Sequence, residues 1–228
     1  MSSRSSTIWN RGFRILASTE IAALLLTWTP FLAGGFAWNI VVSLVAMVIG
    51  TIFGAALAWL RLSGRTPLAH ASLVVTELTR NIPTFVFLFY LAFLIPTEFE
   101  LTGQIYAFPV WLKASLALSV AVIGFVSDNL FVALQHRKRR NHAAALLFIP
   151  SWTTYLLIIV MASSTASVIG VGEIVSRCNI VIAAVGDETM LWVYTYAICY
   201  FLVFCFPLNW AMGCARKRLL ARVGVPAP

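Results

Sequence analysis

Glu77 and Arg80 stand three residues apart in the otherwise apolar stretch TELTRNIPTFVFLFYLAFLIP, residues 76–96. That spacing puts both on one helix face, where they can pair as a structural ion pair or serve as a gate. Near a membrane interface their stems reach water, which keeps the cost modest. Pro83 lacks a backbone N–H and is expected to kink the helix just inside the membrane, leaving a carbonyl for a neighbour or a cavity water; Asn81 adds an amide beside it. Asp128 poses a harder problem, because an isolated carboxylate in hydrocarbon is costly. It must face protein, a water-filled cavity or the hydrated end of its helix, and Asn129 beside it offers a hydrogen bond. Ser163, Ser164, Thr165 and Ser167 bring hydroxyls into an uncharged run, where they bond back to their own helix or to another group.

The elements that carry these residues are membrane spans. With 61% hydrophobic and only 11% charged residues among 228, the chain has too much apolar surface to bury in a soluble core. Crossing about 30 Å of hydrocarbon takes roughly 20 helical residues. Uncharged runs at 36–60, 143–172 and 189–215 meet that length, and two further spans carry charge: 70–96 with Glu77 and Arg80, and 108–134 with Lys113 and Asp128. The expected fold is all-α, a polytopic bundle of five core helices. Residues 15–31, which end near Pro30, form a sixth thin span or an interfacial helix, and no secretory cleavage site follows them. The division is an N-terminal segment 1–35, a transmembrane domain 36–215 and a basic tail 216–228. Ala46, Gly50, Gly54 and Ala58 recur every four residues and form a bare stripe that lets another helix approach, within the subunit or across a dimer seam.

Basic loops stay cytoplasmic. Arg61 and Arg65, the run HRKRRNH at 136–142 and ARKRLLAR at 215–222 all fall on one side; Glu98, Glu100, Glu173, Arg177, Asp187 and Glu188 fall on the other, which is read as external loop. The C-terminus is then cytoplasmic, and Arg4, Arg11 and Arg14 join it if six helices span. The net charge of +8 sits mostly at span ends, where headgroups and topology account for it, so nucleic acid is not an expected partner. Cys178, Cys199, Cys205 and Cys214 lack ligand spacing, and the histidines at 70, 136 and 142 lie in loops or at helix ends, so no metal, disulfide or cofactor is implied. There is no phosphate loop and no Gly-Lys pair, which points away from an enzyme that binds ATP in that manner.

Residues 76–96 resemble the second core helix of the membrane subunits of bacterial ABC importers for polar amino acids of the glutamate/aspartate, glutamine and histidine type. That helix reads E-x-x-R-N-x-P and then an aromatic-rich run ending in proline, which Glu77, Arg80, Asn81, Pro83, Phe85, Phe89 and Pro96 fit. The likeness extends back through residues 28–63 and forward to SSTASVIGVGEIV at 163–175, and Phe125-Val126-Ser127-Asp128 looks like the counterpart of an Ala-Glu pair in the family's third core helix. Met161 and Ala162 replace a Lys-Asp or Lys-Asn pair. The loop at 135–152 is shortened: His142 stands for the glutamate of the E-A-A signature, Ala143 and Ala144 match, the family's glycine is missing, and Ile149-Pro150 resembles the closing Leu-Pro. The resemblance implies a permease subunit in the inner membrane, with an ATP-binding subunit pair, a second permease subunit, an external solute-binding protein and lipid as partners. It makes Glu77, Arg80, Asn81, Pro83, Asp128, Ser163, Ser164 and Ser167 translocation-path candidates. Arg137, Lys138, Arg139, Arg140, His142, Ala143 and Ala144 become ATPase-coupling candidates, the basic run serving the ATPase or anionic lipid. The short loop suggests a non-identical second permease subunit with a complete loop. The rival expectation is a nontransporting scaffold or degenerate subunit.

Overall fold

The computed structural model describes residues 18–64, 66–101 and 103–223. Arg4, Arg11, Arg14, Arg65 and the last residues of the tail lie outside them. The fold is all-α and polytopic: α1 (Ser18–Leu62), α2 (Thr66–Asn81), α3 (Thr84–Leu94), α4 (Val110–Lys138), α5 (His142–Leu146), α6 (Phe148–Ala162), α7 (Ile174–Val185) and α8 (Met190–Val223). Among the described residues four helical stretches are long and apolar enough to cross a membrane, while the stretch expected as a further span is divided into α2 and the shorter apolar α3.

Helix α1 is 45 residues long, about 67 Å at 1.5 Å per residue, which is twice the hydrocarbon thickness. The stretch expected as a separate thin span or interfacial helix is, from Ser18 onward, its first part. Gly34 and Gly35 do not break it, because their lack of a side chain serves packing instead: a Cβ on Gly35 would lie 2.9 Å from the Ile174 Cα, where α7 crosses.

The stripe on α1 meets α4. A Cβ on Gly50 would stand 2.3 Å from the Val122 Cβ, and one on Gly54 would stand 2.8 Å from the Ile123 carbonyl oxygen, while Ala46 and Ala58 are fully buried. Contact order along the two helices increases together, Gly50 with Val122 and Gly54 with Val126, so they run parallel. The α2–α3 pair returns between them, antiparallel to both. Its anchors run in the opposite sense: the Ser72 hydroxyl donates to the Leu57 carbonyl at 2.8 Å, Thr76 and Ser127 share a 2.7 Å hydroxyl bond, and Lys113 meets Ile95.

Two expectations need correction. Pro83 does not kink one helix; it separates two, since Asn81 ends α2 and Pro83, with ψ of 132°, is the non-helical cap before α3 begins at Thr84. The proline can neither donate within a helix nor leave its predecessor helical, and here both effects act. The run 143–172 keeps its spanning length as one helical stretch, His142–Ile169, built from the short α5, then α6, then a 3-10 turn Ser163–Ile169 that ends at left-handed Gly170. The stretch read as external loop contains α7, an apolar helix that is buried on one side. A two-stranded hairpin, β1 (Glu98–Leu101) with β2 (Gln104–Ala107), also fills the connection between α3 and α4.

Gly50→Val forces the α1–α4 seam open. Overpacking of this kind costs on the order of 1–3 kcal/mol, so its melting midpoint in detergent should fall clearly below wild type. Gly213→Ala, which meets no atom within 4 Å, should melt at least as high as wild type.

Candidate functional site: an ion cluster at a broken helix

The Asp128 carboxylate lies between two guanidinium groups. Arg61 Nη1 donates to Oδ1 at 2.6 Å and Arg80 Nη1 donates to Oδ2. The cluster joins α1, α2 and α4 and carries one net positive charge. Its members differ in access: side-chain exposure is 13% for Arg61, 23% for Asp128 and 52% for Arg80. Arg61 is further held over the Phe131 ring, 4.3 Å from its centroid, a favourable placement for a cation.

Gly124 makes the Arg80 contact feasible. A Cβ there would lie 2.7 Å from both Arg80 Cγ and Thr79 Oγ1, so only glycine lets the last turn of α2 rest on α4. Gly124 is also the midpoint of α4, which puts the α2–α3 break halfway along the bundle and not at its end. The far end of α3 is fixed by Lys113, buried on α4, whose Nζ donates to the carbonyl oxygen of Ile95 at 2.7 Å. A buried ammonium needs acceptors, and the unpaired carbonyls of a helix C-terminus supply them. One helix, α4, thus anchors both halves.

Beside the break is a cavity of about 540 Å³, lined by Arg80, Ile82, Thr84, Asp128, Asn129 and Tyr155 among others. Its wall is stiff. Phe125 and Tyr155 stack with centroids 3.9 Å apart, the Tyr155 hydroxyl donates to the Ala121 carbonyl at 3.2 Å, and Asn129 bonds back to Phe125. The arrangement can offer a guanidinium, an amide and an aromatic face to a small polar solute, on a wall that mixes apolar side chains with Asp128, His136 and the hydroxyls of Thr79, Thr84 and Ser151.

Glu77 and Arg80 do not form the expected pair. Glu77 is exposed and accepts from Asn81 Nδ2 at 3.3 Å, whereas Arg80 turns to the half-buried Asp128, where screening by water is weaker. Ser164 and Ser167 bond back within their own turn, to Met161 and Ser164 carbonyls. Ser163 alone of these serines reaches another helix. Its Oγ accepts from Asn39 Nδ2 at 2.9 Å, and the same amide donates to Glu173 Oε2 at 2.9 Å. Asn39 Oδ1 accepts from the Ile174 N–H, and Glu173 caps α7 by accepting from the Val175 and Ser176 N–H groups. Glu173, expected in an external loop, is therefore wholly buried. Its signal was present: an acidic residue immediately before an apolar run is a helix N-cap pattern. Arg61 and Asn39 had no such signal, since nothing local marks a partner far away in the chain.

The coupling candidates occupy the opposite end from the hairpin. Arg137, Lys138, Arg139, Arg140 and His142 are exposed, and Ala144 is buried in the five-residue α5, which Asn141 caps by accepting from the Ala144 N–H at 3.1 Å. Arg140 takes a positive φ of 62° in the tight turn between α4 and α5.

No family model matches the sequence, and no characterised protein matches it. The fold is similar to a solved chain described as the crystal structure of an amino acid ABC transporter with histidines, with a TM-score of 0.70 over 85% of this chain and 96% of that one, at 16% identity. The similarity spans nearly the whole of the other chain, so the two share one multi-pass membrane fold.

Because Arg61 is the more enclosed partner, Arg61→Gln should lower the melting midpoint more than Arg80→Gln. The first leaves Asp128 underpaired inside the bundle, whereas an exposed pair contributes on the order of 1 kcal/mol or less. Equal midpoints in detergent would contradict this ranking.

Proposed function

We propose that the chain is a permease subunit of an ATP-driven, binding-protein-dependent importer of amino acids or similar small polar solutes, forming half of an alternating-access pathway in the bacterial inner membrane. The observation that carries this reading is the fold shared with an amino acid ABC transporter over almost all of that chain's length. The cavity at the α2–α3 break supports it, since irregular backbone at membrane depth is tolerated where it lines a cavity. In this reading Arg80 meets the solute. Its guanidinium has donors to spare beyond the one on Asp128, and Asp128 keeps Arg61 in place while Arg80 changes partner. Glu77, Asn81 and Pro83 shape the approach from α2, and Ser163 acts with Asn39 and Glu173 to hold the turn before α7.

ATP hydrolysis belongs to a separate ATPase pair, and an external binding protein delivers the solute. HRKRRNH and the C-terminal ARKRLLAR face the cytoplasm in this arrangement, where Arg137 to Arg140, His142, Ala143 and Ala144 lie nearest the ATPase. Five residues of α5 give a small docking element, so the second permease subunit is a non-identical one with a longer loop. A nontransporting scaffold is the reading that remains if no ATPase binds.

Reconstituted with its partners, Asp128→Asn and Arg80→Gln should assemble and lose at least tenfold in uptake; wild-type uptake by both would remove them from the pathway. Coexpression with the neighbouring ATPase should yield a stable complex, and failure to copurify would favour the scaffold. In a cysteine-free background, Arg139→Cys should resist an impermeant thiol reagent applied to intact cells. Strong labelling would reverse the orientation.

A further inference from the structure

Helices α1 and α4 run parallel and end together, and between their last turns lies a groove of about 560 Å³ lined by Trp59, Leu62, Ser63, Leu134, Arg137 and Lys138. On the other side of Arg137 a second groove, of about 390 Å³, runs past Leu130, Leu146, Phe148 and Ile149. Arg137 and Leu134 line both. A cationic ridge thus separates two apolar channels. Trp59, with 72% of its surface exposed, stands at the mouth of the first, and tryptophan is favoured at the level of lipid headgroups.

We propose that this ridge binds one anionic phospholipid, its phosphate on Arg137 and Lys138 and one acyl chain in each groove. Charge complementarity identifies the occupant. No carboxylate lines either groove, and both ion pairs found among the described residues are on Asp128, leaving the four consecutive cations from Arg137 to Arg140 without an acidic partner there. Part of their role is to face the carbonyl ends of α4, but that accounts for neither the paired apolar channels nor the exposed tryptophan. A phosphate with two chains satisfies all three features, and basic pockets between spanning helices suit anionic headgroups. A docking protein would have to fill two separate grooves with apolar side chains while also supplying an anion on the ridge between them.

The test uses the full-length protein in phosphatidylcholine nanodiscs containing a small fraction of brominated phosphatidylglycerol or, in parallel, brominated phosphatidylcholine. The Trp59 signal is the fluorescence lost in Trp59→Phe. Brominated phosphatidylglycerol should quench it at about a tenfold lower mole fraction than brominated phosphatidylcholine, in keeping with the attraction two surface cations exert on an anionic lipid. That preference should shrink as salt is raised and vanish in Arg137→Gln/Lys138→Gln, while Arg139→Gln/Arg140→Gln should keep it. Equal quenching by the two lipids in the wild type would overturn the proposal, whether or not the double variant folds. So would a preference indifferent to salt or retained without Arg137 and Lys138. If adding the ATPase abolishes the preference and Lys138→Cys then crosslinks to it, the ridge is a protein dock and the lipid site is refuted.

Discussion

A carboxylate inside an apolar bundle must be answered by positive charge, and here two arginines from different helices answer one aspartate. Removing one partner from an enclosed ion pair costs about 3–5 kcal/mol, far more than an exposed pair contributes. The Arg61–Asp128 contact therefore fixes how α1 and α4 are placed lengthwise, and Arg80 then sets where α2 stops. The rest of the inner architecture follows from that register. Sliding α4 by one turn, about 5.4 Å, would remove Asp128 from both guanidinium groups and also carry Gly124 away from the end of α2.

Close packing makes the register possible. An arginine at the end of α1 reaches Asp128 at 2.6 Å because Gly50 and Gly54 let the two backbones approach. Small residues serve this purpose in lipid, where the hydrophobic effect gives helices no reason to prefer each other over acyl chains. Polar groups answer the same condition. Asn39 uses both amide donors and its carbonyl within one buried network, and the Lys113 ammonium donates to carbonyls at the end of α3. Buried as Asn39 and Lys113 are, each unpaired group would cost several kcal/mol.

Those residues also mark how much the sequence could tell. The apolar runs and their lengths revealed the all-α membrane class, because the constraint behind them is one-dimensional: hydrocarbon thickness sets helix length. The four-residue recurrence of small side chains identified a packing stripe for the same reason. Pairings were a different matter. Glu77 lies three residues from Arg80, so local spacing favoured that pair, yet Arg80 turns to a carboxylate 48 positions away. Glu173 looked like a loop residue because it is the first charge after the uncharged run 143–172; its burial depends on Asn39, 134 positions earlier. Pro83 announced a disturbance but not its extent, since whether a proline kinks or severs a helix depends on what the flanking halves find to hold them.

Here each half finds its own hold, and the two holds differ in kind. The α3 half hangs from a buried ammonium bonded to backbone carbonyls, a contact sheltered from water. The α2 half is buttoned to its neighbours by hydroxyl bonds from Ser72 and Thr76, and at its tip by the half-exposed Arg80. A continuous helix would transmit any shift of one half to the other through its own hydrogen bonds. The gap at Ile82-Pro83 removes that transmission, so the tip of α2 is restrained by a side-chain contact that water or a solute can contest. That contact borders the cavity, and the enclosed Arg61 contact does not depend on it. The bundle can therefore yield at Arg80 without losing the register that Arg61 and Asp128 impose on α1 and α4.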